Sequence, residues 1–451
     1  VKLAWRQVAL PDFGVPEAIP VIPKSIYEER CNRLYERADC DWVVVYGDRE
    51  HFANTHYLTE FDPRFEEALV VLGPDQQRFV IVGNEGYMYQ SVIQPEAEVV
   101  LCQTFSLMGQ DRSRSPSLAT ILQNIGMKKG ESVGLCGWKY LEGTEKENFA
   151  GYFVPTFVVE SIQSTIGGPE GIKDISAILM HPTTGLRVHN EIEQLAVFEW
   201  AASRVSAALA RIVQAMKPGM SELEAVAKMK YAGEPLTTHV MFATNKGHIT
   251  GLRSPSAKVI EEGDGIFTAF GYRGGLSARG GLVAKENEAF IEKWAKPYYR
   301  SIVAWYEAVS VGVSGGEIYD HICDVLKEGD LRPALNPGHL TSADEWLHTS
   351  FRPNSHEKIT SGMAVQCDII PAPMPEGINL NCEDTVVIAD EALRKEIAER
   401  YPEMWERIEL RQNFMRDELG IDVSHDILPF SSTPAYYAPL FLSSDYVLTV
   451  K

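Results

Sequence analysis

Over residues 1–175, short β-branched runs alternate with stretches of helical periodicity. The runs 42–46, 68–72, 79–82, 98–101 and 132–135 are strand-length, and the first three stop at Gly47-Asp48, Gly73-Pro74 and Gly83-Asn84. Between them, Ser25 to Ala38 sets Ile26, Leu34 and Ala38 at helical spacing, and Pro116 to Ile125 offers Leu118, Ile121, Leu122 and Ile125. Strands alternating with helices predict a mixed α/β domain. A Gly/Pro cluster at residues 167–171 and a turn at 181–185 bracket a linker, placed at 176–189.

From residue 190 to 451 the pattern changes. Ile192, Leu195, Ala202, Val205, Leu209, Ile212, Val213 and Met216 form one long apolar stripe, with Asn190 and Glu193 spaced as a capping box at its start. The helix stops at Lys217-Pro218-Gly219, and Ser221 with Glu224 opens the next one. The junction recurs: a helix reaching Val313 gives way to Ser314-Gly315-Gly316-Glu317 and a second helix. β-like runs follow each junction, at 265–270 after the first and at 364–370 and 385–388 after the second. Two helix-helix-strand halves predict a pseudo-symmetric domain with a pocket between them. Residues 391–420 read as helical. The last stretch, 421–451, reads as an extended Pro/aromatic segment wrapped on a surface.

Composition narrows the function classes. The 451 residues include 42 Lys+Arg against 62 Asp+Glu, a formal charge of -20, which is the wrong sign for a nucleic-acid or anionic-membrane binder. No apolar run reaches the roughly 18 residues of a membrane helix, and residues 1–20 carry no signal-peptide core. The seven cysteines are scattered with no C-x-x-C pair, as expected of reduced thiols in a cytoplasmic protein.

Gly312-Val313-Ser314-Gly315-Gly316 matches the G-x-S-x-G pattern of a nucleophile elbow, but the preceding helical segment and the recurrence at Ser221 favour a helix cap. P-loop, dinucleotide-binding and H-E-x-x-H motifs are absent. The stronger signal is Pro337-Gly338-His339, then Gly362-Met363 before a run ending in Asp368, then Glu383-Asp384-Thr385. One His and two acids on separate elements of a sheet can converge on a metal or on a cationic substrate.

Together with Asn190-Glu191-Ile192-Glu193, the junction 217–222 and Glu262-Gly263-Asp264, these segments resemble the creatinase, prolidase, aminopeptidase P and methionine aminopeptidase family. The resemblance implies an α/β N-terminal domain (1–175) and an α+β pita-bread C-terminal domain (190–451) with two pseudo-symmetric halves. In the family's metallopeptidases two Asp, one His and two Glu bind two metal ions. His339, Asp368 and Glu383 fall on the His and the two Glu positions. Ala269 takes the first Asp position, the second falls near Arg279, and residues 265–285 contain no carboxylate. The ligand loss leaves too little negative charge for a dinuclear site, and Arg279 opposes cations further, so no metal and no other cofactor is the expectation, with a single ion on His339, Asp368 and Glu383 left open.

Creatinase, the family's metal-free precedent, aligns its catalytic His with Leu252, one segment after His248. The leading expectation is a creatinase-like, metal-independent hydrolase of a C–N bond in a small cationic or zwitterionic substrate. His248 or His339 would activate water beside Glu383, and Asp368 and Glu383 would hold the cation. His348 and Arg352 would bind substrate, as would Arg64 with Phe61, which resemble the pair that creatinase lends to its partner subunit. The resemblance thus implies a homodimer acting on a small molecule or short peptide. Two alternatives stand beside it: a non-catalytic binding protein of the same fold, and an Xaa-Pro peptidase with a reduced metal site.

Overall fold

The β-branched runs of the first half line up as one sheet in a computed structural model that describes residues 1–149, 151–249 and 251–451. Strand β1 (Leu3–Gln7) belongs elsewhere. The sheet holds β2 (Trp42–Gly47), β3 (Ala68–Leu72), β4 (Arg78–Val82), β5 (Glu98–Leu101), β6 (Val133–Cys136) and β7 (Ile172–Asp174), in the order β5-β4-β3-β2-β6-β7. The hairpins β2/β3 and β3/β4 are antiparallel, whereas β2/β6, β4/β5 and β6/β7 are parallel. Val43, Val44, Val45, Leu69, Val70 and Val71 are all buried, so these central strands show no polar alternation. On one face, Leu118, Ile121, Leu122, Val158, Ile162 and Ile166 of the helices Leu118–Asn124 and Thr156–Ile166 pack on Val44, Val71 and Leu135.

The chain divides into two compact units, Ile22–Arg187 and Val1–Val21 with Val188–Lys451. This moves both expected boundaries. Residues 1–21 join the second unit because β1 pairs antiparallel with the last strand, Leu3 opposite Val450 and Gln7 opposite Tyr446. Residues 176–187 are not a loose linker: Tyr57 donates to the Leu186 carbonyl at 2.9 Å, and buried Arg187 donates to Asn54 Oδ1 at 2.7 Å.

In the second unit the strands are β8 (Leu236–Asn245), β9 (Gly265–Tyr272), β10 (Gly275–Leu282), the short β11 (Arg332–Pro333), β12 (His339–Leu340), β13 (Ala364–Cys367), β14 (Pro371–Ala372), β15 (Asn381–Ile388), β16 (Ile427–Pro429) and β17 (Tyr446–Val450). The main sheet runs β12-β13-β15-β10-β9-β8, with β16 also on β15; β11 pairs with β14 and β1 with β17. The helix Ile192–Ala215 lays Ala201, Val205, Ala208, Leu209 and Ile212 against Ile266, Phe270 and Tyr272 of β9. Gly275 is where this helix touches the sheet, since a Cβ there would stand 2.6 Å from Ala202 Cα. The expected capping box at Asn190 is not formed. Glu191 is the N-cap and makes no capping bond from its side chain, Asn190 instead donates to the Gly362 carbonyl at 2.9 Å, and Glu193 pairs with Arg400.

The internal repeat is borne out bond by bond. Ser221 and Ser314 both form complete capping boxes, with Glu224 and Glu317. Each serine also sits in an isolated antiparallel bridge, to Val259 and to Lys358. Gly219 donates to the Ile260 carbonyl and Gly312 to that of Ile359; three residues further on, Gly263 and Gly362 donate to Val283 and Ile388. Ser314 Oγ is thereby committed to Glu317, 2.7 Å from its Oε2, and is no nucleophile.

The helical tail appears as Glu391–Arg400 and Pro402–Asn413. Beyond it the surface-wrap expectation fails: Ile421, Leu428, Phe430, Ser431, Tyr437 and Leu440 are fully buried. The segment enters the core because β16 extends the main sheet and because its backbone supplies acceptors for a buried arginine, described below. Among the described residues no helix is long and apolar enough to cross a membrane.

Candidate active site

Strand register decides which side chains meet. Ala269 on β9 stands opposite Ala278 on β10, and Ala278 stands opposite Glu383 on β15. Directly opposed residues share a face, so Ala269, Ala278 and Glu383 form one row across three strands. On the next strand Cys367 opposes Asp384, which brings the following residue, Asp368, beside Glu383. His339 on β12 opposes Gln366 and joins the same face.

His339 is fully buried, with Glu383 4% and Asp368 8% exposed. From His339 Nε2 it is 3.7 Å to Glu383 Oε1 and 4.0 Å to Asp368 Oδ2, and 3.0 Å to Oε1 of a residue not singled out by sequence, Glu345. Glu345 lies on the turn after β12, closed by Ser342 N–H donating to the Asp344 carbonyl. Its neighbour Trp346 stacks on the His339 ring, with centroids 4.1 Å apart and planes at 21°. Nothing periodic marks Glu345. Its nearness to His339 along the chain is the one signal that points to it.

Burial and charge shift the three buried groups, His339, Asp368 and Glu383. Burial pushes Asp368 up, His339 pulls it down and Glu345 adds repulsion, leaving it at about 6. Burial, then the Asp368 charge, raises Glu383 well above the carboxylate range. For His339, burial opposes the imidazolium, but Glu345 and Glu383 outweigh it and raise the pKa well above the ordinary value. Two carboxylates this close in a dry site share protons rather than ionise together.

Arg279 is not part of this site. It opposes Cys382, one position out of the Ala278–Glu383 row, and so points to the other face. There its guanidinium donates to both oxygens of Asp384, at 3.0 and 2.9 Å, to the carbonyls of Thr433, Tyr436, Glu383 and Ala278, and to Thr433 Oγ1. The expectation that Arg279 opposes cations is overturned, because its charge is neutralised by Asp384 behind the sheet. Ala278, not Arg279, is the β10 residue that shares a face with Glu383.

The other expected residues fall outside the cluster. His248 is exposed on the loop after β8. His348 bridges β12 through backbone contact with Leu340, and its Nδ1 accepts from Thr349 N–H at 2.8 Å. Arg352 is tied to Glu357 Oε1 at 2.6 Å. In the first unit, Phe61 is fully buried against Tyr89, which removes it as a substrate contact. Arg64, half-exposed with φ +60°, pairs with Asp62 Oδ1 at 3.0 Å and donates to the Tyr89 hydroxyl at 2.8 Å.

Residues 197–390 match the family model described as Metallopeptidase family M24. No curated protein matches by sequence. Among solved structures, the chain is similar to an Xaa-Pro dipeptidase from Bacillus anthracis (TM-score 0.60, 17% identity, 82% of this chain and 96% of that one). It is also similar to the prolidase from Pyrococcus horikoshii OT3 (TM-score 0.63, 15% identity, 80% and 95%) and to the X-Pro aminopeptidase from Thermotoga maritima MSB8 (TM-score 0.62, 16% identity, 81% and 95%). The fold is therefore an α/β N-terminal domain with a pita-bread C-terminal domain of two pseudo-symmetric halves. The two-ion centre implied by that fold does not fit here: where it needs two carboxylates, Ala269 and Ala278 offer methyl groups.

Proposed function

We propose that this protein is a hydrolase that cleaves a C–N bond in a small cationic or zwitterionic substrate, a short peptide included, without the two-ion centre. The observation that carries the reading is the row Ala269–Ala278–Glu383. It sets Glu383, and with it Asp368 and His339, beside the buried methyl groups of Ala269 and Ala278, an apolar flank for the body of a substrate. Asp368, held at about 6, is suited to proton transfer near neutral pH. It takes a proton from the attacking water as the water oxygen bonds to the substrate carbon, and returns it to the leaving nitrogen as the C–N bond breaks. The raised pKa of His339 makes it a poor base in this scheme and suits it to stabilising developing negative charge. His248 has no part in it.

The partner-subunit role of Arg64 belongs to the same reading, which takes the working form to be a homodimer. Its half-exposed guanidinium, braced by Asp62 and the Tyr89 hydroxyl, supports that role. The cytoplasmic setting is supported by seven free cysteines, five of them buried. The test is a turnover screen over guanidino acids, cyclic amidines and Xaa-Pro dipeptides. Turnover abolished by Asp368→Asn and retained in His248→Ala is expected. Tight binding of one of these compounds without turnover would instead identify a binding protein.

A further inference from the structure

The site lacks the carboxylates for two ions, yet it assembles a different ligand set for one. We infer that His339, Glu345 and Glu383 bind a single divalent transition-metal ion, with Glu345 supplying the carboxylate that the two alanine positions lack. Nε2 of His339 and one carboxylate oxygen each of Glu345 and Glu383 all lie within 4.8 Å of one another. With metal–ligand bonds of about 2.1 Å, the 3.0 and 3.7 Å separations from Nε2 subtend angles of about 90° and about 120°, as in the coordination sphere of one ion.

Unpartnered buried atoms point independently to the same place. His339 Nε2 and Glu383 Oε1 are buried without a hydrogen-bond partner, and so is the neighbouring Asp368 Oδ1. The His339–Glu345 contact is short enough for a hydrogen bond but is not aligned as one, which suits two ligands turned toward a common centre better than a donor aimed at an acceptor. The other ring nitrogen, Nδ1, lies 3.3 Å from the Leu340 carbonyl. Donation there would fix the tautomer that leaves the Nε2 lone pair facing the acids. Trp346 stacked on the ring holds its plane.

One imidazole with two carboxylates suits zinc, cobalt, manganese or iron(II) better than magnesium or calcium, which prefer oxygen alone. The quarter-exposed Glu345 side chain leaves one side of the site open to solvent. A second ion has no ligands, because residues 265–285 hold no carboxylate and Arg279 is occupied behind the sheet.

The inference goes beyond the hydrolase reading and is tested without turnover. Chelator-stripped full-length protein is titrated with Zn2+, Co2+ and Mn2+ by calorimetry. Bound metal is counted by elemental analysis after gel filtration, and the visible spectrum of the Co2+ form is recorded. The expected result is one ion per chain, with affinity at least 10-fold weaker in Glu345→Gln and a changed Co2+ spectrum. Glu345 sits on a partly exposed turn, so this variant is expected to fold, which circular dichroism checks; a metal-induced rise in the unfolding temperature of the unmodified chain is a second readout. Zero ions, two ions, or one ion bound equally well by Glu345→Gln would each overturn the inference. A protein that binds one ion but turns nothing over would leave it standing while removing the hydrolase.

Discussion

Replacing Arg279 with Met tests whether this arginine is a structural tie or an electrostatic part of the site. The side chain is 4% exposed and its partner Asp384 1%, and the guanidinium donates to five different residues. Removing one member of a buried ion pair costs about 3–5 kcal/mol, because the remaining charge is stranded. The orphaned carbonyls of Thr433 and Tyr436 each add about 1 kcal/mol or more where no water reaches them. Part of this is offset: Asp384 keeps bonds from Ser431 Oγ at 2.6 Å, Thr433 Oγ1 at 3.1 Å and Ala435 N–H at 3.0 Å, and burial already favours its protonated form. A net loss of about 3–5 kcal/mol is expected for Arg279→Met, and a smaller one for Arg279→Lys, which keeps the charge but not the fork. Urea unfolding of Arg279→Met, Asp384→Asn and the double variant that combines them gives a double-mutant cycle with coupling of about 2 kcal/mol expected. Metal stoichiometry should not move. A loss below about 1 kcal/mol, or a variant that gains metal because a cation was removed, would refute the placement of Arg279 behind the sheet.

Three further outcomes follow from the same geometry. In metal-free protein, Asp368 has a folded pKa of about 6 against an ordinary 3.8, so the native state binds the extra proton between those values. Its contribution is therefore fully present below about pH 4 and is lost as pH rises to about 6, a fall of up to roughly 3 kcal/mol that urea midpoints should show and Asp368→Asn should flatten. Introducing Ala269→Asp with Ala278→Asp puts two carboxylates in the row of Glu383, and metal counted per chain should rise from one to two; an unchanged count would mean that the row is not the second ion's position. Ser221→Ala and Ser314→Ala should each cost about 1 kcal/mol in chemical denaturation, since both remove the same capping box; a cost at one site only would argue against equivalent halves.

What could be read from the sequence, and what could not, divides along physical lines. The strands 42–47, 68–72 and 78–82 were legible because both of their faces are buried and their apolar runs are unbroken. The two serine caps were legible because a capping box is local, closed within four residues. The box at Asn190 has the same spelling and does not form, because the Gly362 carbonyl, far away in sequence, claims the Asn190 amide. Arg279 was assigned to the wrong face because a one-residue error in register reverses every side chain of a strand. Only the pairing of β10 with β15 fixes that parity. The buried course of residues 421–451 has the same cause: its partner is a charge that sequence placed elsewhere.

The pseudo-symmetry shows how the chemistry is distributed. Gly219, Ser221, Ile260 and Gly263 repeat as Gly312, Ser314, Ile359 and Gly362, with the same bonds, so the scaffold of both halves is retained. The ionisable groups are not. The hairpin β9–β10 of the first half brings alanines to the central face, whereas His339, Glu345, Asp368 and Glu383 all come from the second half. The ionisable cluster therefore lies on one side of the pseudo-symmetric sheet. His339, Asp368 and Glu383 are buried and close together, each with a polar atom short of a hydrogen bond, and Trp346 packs over the His339 ring. Buried charge of one sign is costly unless something positive balances it. His339 supplies one positive charge at most, so the acids around it either hold protons, as the raised Asp368 and Glu383 do in the empty site, or release them to a bound cation, metal or substrate.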